Sequence, residues 1–306
     1  MFNAEQKKRF MIEKYNESIM PKGYLENQFE KISSMENKLN KDISNFTFYE
    51  IIEYYKLLNT SSVEVLKVLN SNFSIYTQWC LQQNLVNDGQ NHFQEMRIDD
   101  YDRCINKALF DLTIIPKETI IDWVDELQNP RDKFILLGLF EGIKGKNFSE
   151  LGSLRPVDVN GNTLKLCTGR TIQISDKLKY IIDDCVSETN YYSTTGKEVK
   201  RMPLIDRGYI IKDYPNTKED VSEFQRGRQI YNSIQRIMQY LEVYPSVTAN
   251  NVFESGKLDM IKIRANELGV NCIDYIYSEH IKEVKEKYNC TITPKSYIIK
   301  NKNHLE

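Results

Sequence analysis

Along the first hundred residues, apolar positions recur with the three-and-four spacing of amphipathic helices. In TFYEIIEYYKLL, Phe48, Ile51, Ile52 and Tyr55 fall at i, i+3, i+4 and i+7 behind a capping box of Thr47 and Glu50. A second box, Ser61 with Glu64, opens SSVEVLKVLNSNFSIYTQWCLQQN, whose stripe is Leu66, Leu69, Phe73, Tyr76 and Cys80. Stripes of this kind are most simply the inner faces of a helical bundle, so residues 1–105 are expected to form a wholly helical first domain. The turn chemistry of VNDGQNH, residues 86–92, stops the bundle and places the boundary between Asp88 and Leu112, with a second domain over 106–306.

In that second domain IPKETIIDWVDEL predicts an amphipathic helix with Pro116 in its first turn. PRDKFILLGLFEGI is apolar nearly all round and predicts a core helix. After Leu154 the period becomes alternating. VDV, an Asn160-Gly161 turn, TLKL, a Thr168-Gly169 turn and RTIQI predict a three-stranded meander near 157–174, with Leu164, Leu166, Ile172 and Ile174 on one face. Residues 187–223 are polar and read as an extended loop or a pair of edge strands around RGYIIKDYP. FQRGRQIYNSIQRIMQYL, GKLDMIKIRANELG and CIDYIYSEHIKEVKEKY predict helices again. The fold class expected is mainly α with a small β-meander, in two domains.

Charge changes this picture only locally. The 306 residues carry 41 Lys plus Arg against 43 Asp plus Glu, so no global field draws the chain to nucleic acid. Two stretches are nevertheless basic and acid-free: Phe224–Leu241 with Arg226, Arg228 and Arg236, and Lys287–Asn303 with Lys287, Lys295, Lys300 and Lys302. Pattern alone fits a solvated helix face as well as a DNA contact. The six cysteines stand singly, and His92, His280 and His304 are scattered, so neither a metal nor another cofactor is expected. No Gly-rich phosphate loop or Gly-x-Ser-x-Gly elbow is present. MFNAEQKKRF lacks the apolar stretch of a signal peptide and FILLGLF is too short to cross a bilayer, so a cytoplasmic protein without a membrane partner is expected.

The helix bearing Phe73, Tyr76, Trp79 and Cys80, followed by a helical domain interrupted by a meander after SELGSLRPVDV, resembles the tyrosine recombinase (phage integrase) family over nearly the whole chain. The closest resemblance is to phage repressors built on that scaffold. It implies a core-binding domain and a catalytic domain closing as a clamp on duplex DNA. The family's chemistry sets two arginines, a lysine and two histidine-type residues around one phosphate, plus a tyrosine nucleophile. A guanidinium fork holds two phosphate oxygens and stabilises the charge of the transition state.

Here the first arginine position falls on Lys144, in EGIKGKNFSEL, or on Lys146 in a shifted frame; lysine keeps the charge without the fork. The lysine of the meander turn is replaced by Arg170. The His-x-x-Arg signature is missing from ANNVFESGKLDMIKIR, with aligned positions near Ser255 and Leu258. Tyr288 and Tyr297 keep the family's nine-residue separation, which puts Tyr297 in the nucleophile's place without activating neighbours.

These losses imply a protein that is not an enzyme and has no catalytic residues: a sequence-specific, double-stranded DNA-binding transcriptional repressor that maintains lysogeny. The phosphate and groove contacts implied are Lys144, Lys146, Arg155, Arg170, Arg226, Arg228, Lys262, Arg264, Lys295, Tyr297 and Lys300. Several have structural readings too: Lys144 and Lys146 suit a helix C-terminus, and Arg155 can pair with Asp158. Base-reading side chains are expected from helices of both domains. An active integrase using Tyr297, and a protein-binding regulator using residues 187–223, are the alternatives. Besides operator DNA, release of a repressor implies an antirepressor or other regulatory protein, and neither that partner nor the oligomeric state is written in the sequence.

Overall fold

The computed structural model describes residues 1–15, 22–106, 114–193, 199–244 and 246–305. The chain forms two compact units, Met1–Phe110 and Asp111–Glu306. The far end of the expected boundary, Leu112, lies outside the described residues, as do 194–198 of the polar segment.

The first unit contains α1 (Ala4–Tyr15), α2 (Lys22–Leu39), α3 (Phe48–Leu57), α4 (Val63–Gln82) and α5 (Ile98–Cys104). Both stripes turn inward: Ile51, Tyr55, Leu66, Leu69, Phe73, Tyr76 and Cys80 are buried. Aromatic rings fill the centre, with Tyr76 set edge-on to Phe10 at 5.1 Å and to Phe29 at 5.0 Å. The Thr47–Glu50 box forms as expected. The second cap shifts by one residue, because it is the Ser62 hydroxyl, not Ser61, that accepts from Val65 N–H. Against the aromatic cluster sits an ion pair the pattern concealed, Lys7 Nζ to Glu36 at 2.5 Å, both side chains fully buried.

The second unit runs α6 (Lys117–Glu126), α7 (Pro130–Phe140), α8 (Ser149–Ser153), β1 (Val159–Asn160), β2 (Thr163–Lys165), β3 (Thr171–Gln173), α9 (Asp176–Ser187), β4 (Asn190–Tyr192), β5 (Arg201–Pro203), α10 (Glu223–Tyr240), α11 (Ala249–Glu267), α12 (Cys272–Tyr277), α13 (Ile281–Lys287) and α14 (Pro294–Asn301). Helix α7 is enclosed on every side, with Phe134, Ile135, Leu136, Leu137 and Leu139 buried. At about 1.5–3 kcal/mol for each such side chain removed from water, it is a main source of this unit's stability.

The meander is antiparallel in the order β1-β2-β3 and pairs Leu164 with Ile172, which puts the expected apolar face on the core. Its first strand begins later than VDV suggests: Pro156–Asp158 form a 3-10 turn that leaves Val157 exposed. Within 187–223 the strand pair is β4 with β5, and RGYIIKDYP is the loop beyond it, held by one bridge from Asp213 to Ile205. Lys212 and Asp213 both turn inward there, Lys212 to the carbonyls of Val186 and Glu188 and Asp213 to Arg226. The expected last long helix breaks at Ser278, whose hydroxyl donates to Tyr275 O and accepts from His280 N–H in place of the helical ladder.

Candidate nucleic-acid interface

Helix α7 ends at Phe140, and the following turn carries Lys144 to the N-terminal turns of α11. A capping box of Thr248 and Asn251 fixes where α11 begins. One turn in, Asn250 and Phe253 stand three residues apart on the side that meets Lys144. The Lys144 ammonium donates to Asn250 Oδ1 at 2.6 Å and lies 4.7 Å from the centre of the Phe253 ring. Phe253 in turn meets Tyr288 edge-on at 5.2 Å, and the Tyr288 hydroxyl donates to Phe140 O at 2.7 Å. The two helices approach closely enough that a Cβ on Gly256 would lie 1.7 Å from that same carbonyl oxygen. Burial pushes the Lys144 ammonium down from its ordinary range, an effect opposed by the charge of Glu254.

This arrangement corrects the expected register. Ser255 and Leu258 are core residues: the Ser255 hydroxyl accepts from Ile115 N–H, and Leu258 is buried. Beside Lys144 stand instead Asn250 and Phe253, three residues apart, an amide and an apolar ring.

Arg170 is also placed differently from expectation. Its Nε donates to Glu150 Oε1 at 2.7 Å, and Nη2 donates to Glu150 Oε2 at 2.5 Å and to Gly142 O at 2.6 Å. Nη1 turns to the carbonyls of Lys287 and Glu286. With its donors used internally, this guanidinium ties the meander turn, the turn before Lys144 and the end of α13 together. Glu150 also accepts from Lys144 N–H at 3.0 Å, so the staple reaches the backbone of the pocket lysine. Although burial raises the Glu150 carboxyl, hydrogen bonds from Arg170 and Thr168 hold it below the usual carboxylate range.

Tyr297 is buried, and its hydroxyl meets no hydrogen-bond partner among the described residues. Burial raises its pKa above the ordinary phenol value, and the charge of Glu254 adds to this. Lys257 Nζ lies over the ring face, 5.2 Å from its centre, not at the oxygen. It is therefore an interior ring, not a groove contact.

The other expected contacts divide into two groups. Arg226 pairs with Asp213 at 3.3 Å and stacks 4.0 Å from the Tyr209 ring centre, and Arg264 is held by Glu267 and Glu283, each at 2.6 Å. The Arg226 pair is largely buried within the fold, whereas the Arg264 pairs lie at the surface. Arg155 is exposed and lies 4.9 Å from the centre of the Tyr209 ring, while Asp158 accepts from its backbone N–H and not from its guanidinium. Lys146, Arg228, Lys262, Lys295 and Lys300 are exposed. No group of metal-ligating side chains occurs among the described residues, and none of their helices is long and apolar enough to cross a membrane.

Comparison with known proteins adds family and relatives. Residues 1–82 match the family described as MrpR, N-terminal core-binding domain, and residues 114–304 match MrpR, C-terminal catalytic domain. Both descriptions carry the division that the recombinase resemblance implied. The chain is 25% identical over 313 residues, 97% of its own length and 94% of the relative's, to the SPbeta prophage-derived uncharacterized protein YopR of Bacillus subtilis strain 168. Among solved structures, the crystal structure of XerA recombinase aligns with 97% of this chain and 92% of that one at 10% identity and a TM-score of 0.41.

Proposed function

The chain belongs to the MrpR family, and from that premise we propose that it binds double-stranded DNA at specific operator sites without cutting it, as a transcriptional repressor that maintains lysogeny. The observation that carries this reading is the pocket of Lys144, Asn250 and Phe253. A single ammonium can attract a phosphate as a point charge, and the amide of Asn250 can donate to a phosphate oxygen. Neither clamps the charge that builds up during strand transfer, and Phe253 offers nothing to it. A tyrosine must lose its proton to attack phosphorus, and burial of the Tyr297 hydroxyl without a base or a cation at the oxygen opposes that loss. Binding therefore survives these replacements where chemistry does not. The prophage origin of the relative supports a role in keeping phage genes silent, with an antirepressor or comparable protein as the partner that releases it.

The test is a gel shift of the purified chain on fragments of its own phage genome across a salt series, with a denaturing lane on nicked duplex. Selective shifts that weaken with salt and leave no covalent adduct are expected, and Lys144→Glu is expected to weaken them by opposing phosphate charge. An adduct lost in Tyr297→Phe would return the chain to the strand-cutting recombinases, and the absence of any shift would overturn DNA binding itself.

A further inference from the structure

Helix α10 carries a side-chain pattern that packing does not explain. Its buried face holds Gly227, Ile230, Ser233, Ile234, Ile237 and Met238. On the opposite side Gln225, Arg228, Asn232, Gln235 and Gln239 recur at i, i+3, i+7, i+10 and i+14, within an arc of about 80° at 3.6 residues per turn. After Glu223 in its first turn, the 18-residue helix has no carboxylate. Other solvent-facing helices are mixed: α9 carries the half-buried Lys177 and Lys179 beside the exposed Asp183, and α11 exposes Lys262 with Glu267. A solvated face is ordinarily built from such opposite charges, whereas α10 shows only amides and a guanidinium.

These groups are also available. Arg228, Asn232 and Gln239 have no side-chain partner among the described residues, while Gln225 serves the Ser222 capping box and Gln235 donates to the Tyr231 hydroxyl. The stripe is bordered by Phe224, 65% exposed, and Tyr231, 48% exposed. It lies against the loop that leaves the Lys144 pocket. A Cβ on Gly227 would come within 2.0 Å of Asn147 O, and Tyr231 sits 6.4 Å from Phe148, ring centre to ring centre. These contacts seat the helix that carries Arg228 on the loop that presents Lys146.

From this juxtaposition, and resting on the DNA-binding reading above, we infer that α10 is the base-reading helix of the second unit, with Arg228 selecting guanine and Asn232 selecting adenine in the major groove. A major groove about 12 Å wide admits one α-helix, and its edges are read by these two chemistries: guanidinium to guanine O6 and N7, amide to adenine N6 and N7. Phe224 at the helix start suits a thymine methyl. The neighbouring lysines, Lys144 and Lys146, would fix the helix in register by holding the backbone, a division of labour in which phosphate contacts position and base contacts specify.

The experiment selects duplexes from a randomised pool with the intact wild-type chain, then measures affinity of wild type, Arg228→Ala and Asn232→Ala for the selected and the unselected duplex across salt. Each substitution is expected to reduce affinity for the selected duplex about 5- to 150-fold. Unselected binding should remain close to wild type, and repeating the selection should relax one base position per variant. Arg228→Lys, which keeps the charge, should hold unselected affinity and still lose the guanine preference. Unchanged selection, or an equal loss on both duplexes, would overturn base reading by α10 while leaving DNA binding in place. A wild-type chain that binds no duplex at all would overturn the DNA reading on which this one rests. Both positions are exposed, and matching urea midpoints would exclude unfolding as the cause of a loss.

Discussion

Removal of the Arg170 side chain tests whether it is a staple or a DNA contact. Glu150 is completely buried, and Arg170 supplies both oxygens at 2.7 and 2.5 Å. In Arg170→Ala the carboxylate keeps only the Thr168 hydroxyl at 2.6 Å and Lys144 N–H at 3.0 Å, while the Gly142 and Lys287 carbonyls lose their donor. Breaking a buried pair by deleting one partner costs about 3–5 kcal/mol, and the two surviving donors place this case near about 3 kcal/mol. For a unit of this size that is about 6–12 °C in melting temperature. Trp79 lies in the first unit and Trp123 in the second, so fluorescence in a Trp79→Phe background reports the second unit alone. The double variant Arg170→Met with Glu150→Met should regain much of the loss, because no charge is then left buried.

The gap between wild type and Arg170→Ala should also depend on pH. The folded pKa of Glu150 is depressed by hydrogen bonds from Arg170 and Thr168 that outweigh its burial, so its contribution is present above the unfolded carboxylate range and is lost as pH falls through the folded value. The gap should therefore narrow in acid. A loss below about 1 kcal/mol, or a gap indifferent to acid, would refute the staple.

Two further outcomes can be measured on the same material. Gly256→Ala forces a methyl into the Phe140 carbonyl and should destabilise the second unit by at least about 2 kcal/mol in urea unfolding, with DNA affinity falling as Asn250 and Phe253 move away from Lys144. Glu188 has its carboxyl pushed up to about 7 by burial and by the charge of Asp132. Because its folded pKa exceeds its unfolded one, that stabilisation is complete below the unfolded value and fades as pH rises through about 7, and Glu188→Gln should flatten the stability profile across that window.

The parts of this fold that follow from periodicity were legible in the sequence. The stripes of α3, α4 and α7 and the apolar face of the meander point to the core, because burial of apolar side chains is what sets those spacings. What the sequence hid depends on which long polar side chains find partners far along the chain. Asp213 anchors the RGYIIKDYP loop by turning in to Arg226, and Ser278 ends a helix that composition would continue. The pocket was legible only in half. Lys144 is singled out by the family resemblance, whereas Asn250 and Phe253 are not, since an amide and an aromatic ring carry no mark of a phosphate site until the cation they hold is in place.

The same long-range pairing bears on how a chain with a net charge of −2 could hold a polyanion. Its acids are not simply spread against its bases. The buried Glu150 and Asp213 take Arg170 and Arg226, and at the surface Glu267 with Glu283 take Arg264, so several carboxylates serve as partners of arginines instead of projecting unopposed negative potential. The side-chain cations of Lys144, Lys146, Arg155 and Arg228 donate to no carboxylate among the described residues, and the packing of Asn147 and Phe148 on Gly227 and Tyr231 joins the loop of Lys144 and Lys146 to the helix of Arg228. Local potential, not net charge, governs the approach of a phosphate within a Debye length of about 8 Å. The largely buried Arg170 and Arg226 pairs give the fold its geometry, and Lys144 and Lys146 are the cations whose replacement should register in the salt dependence of binding.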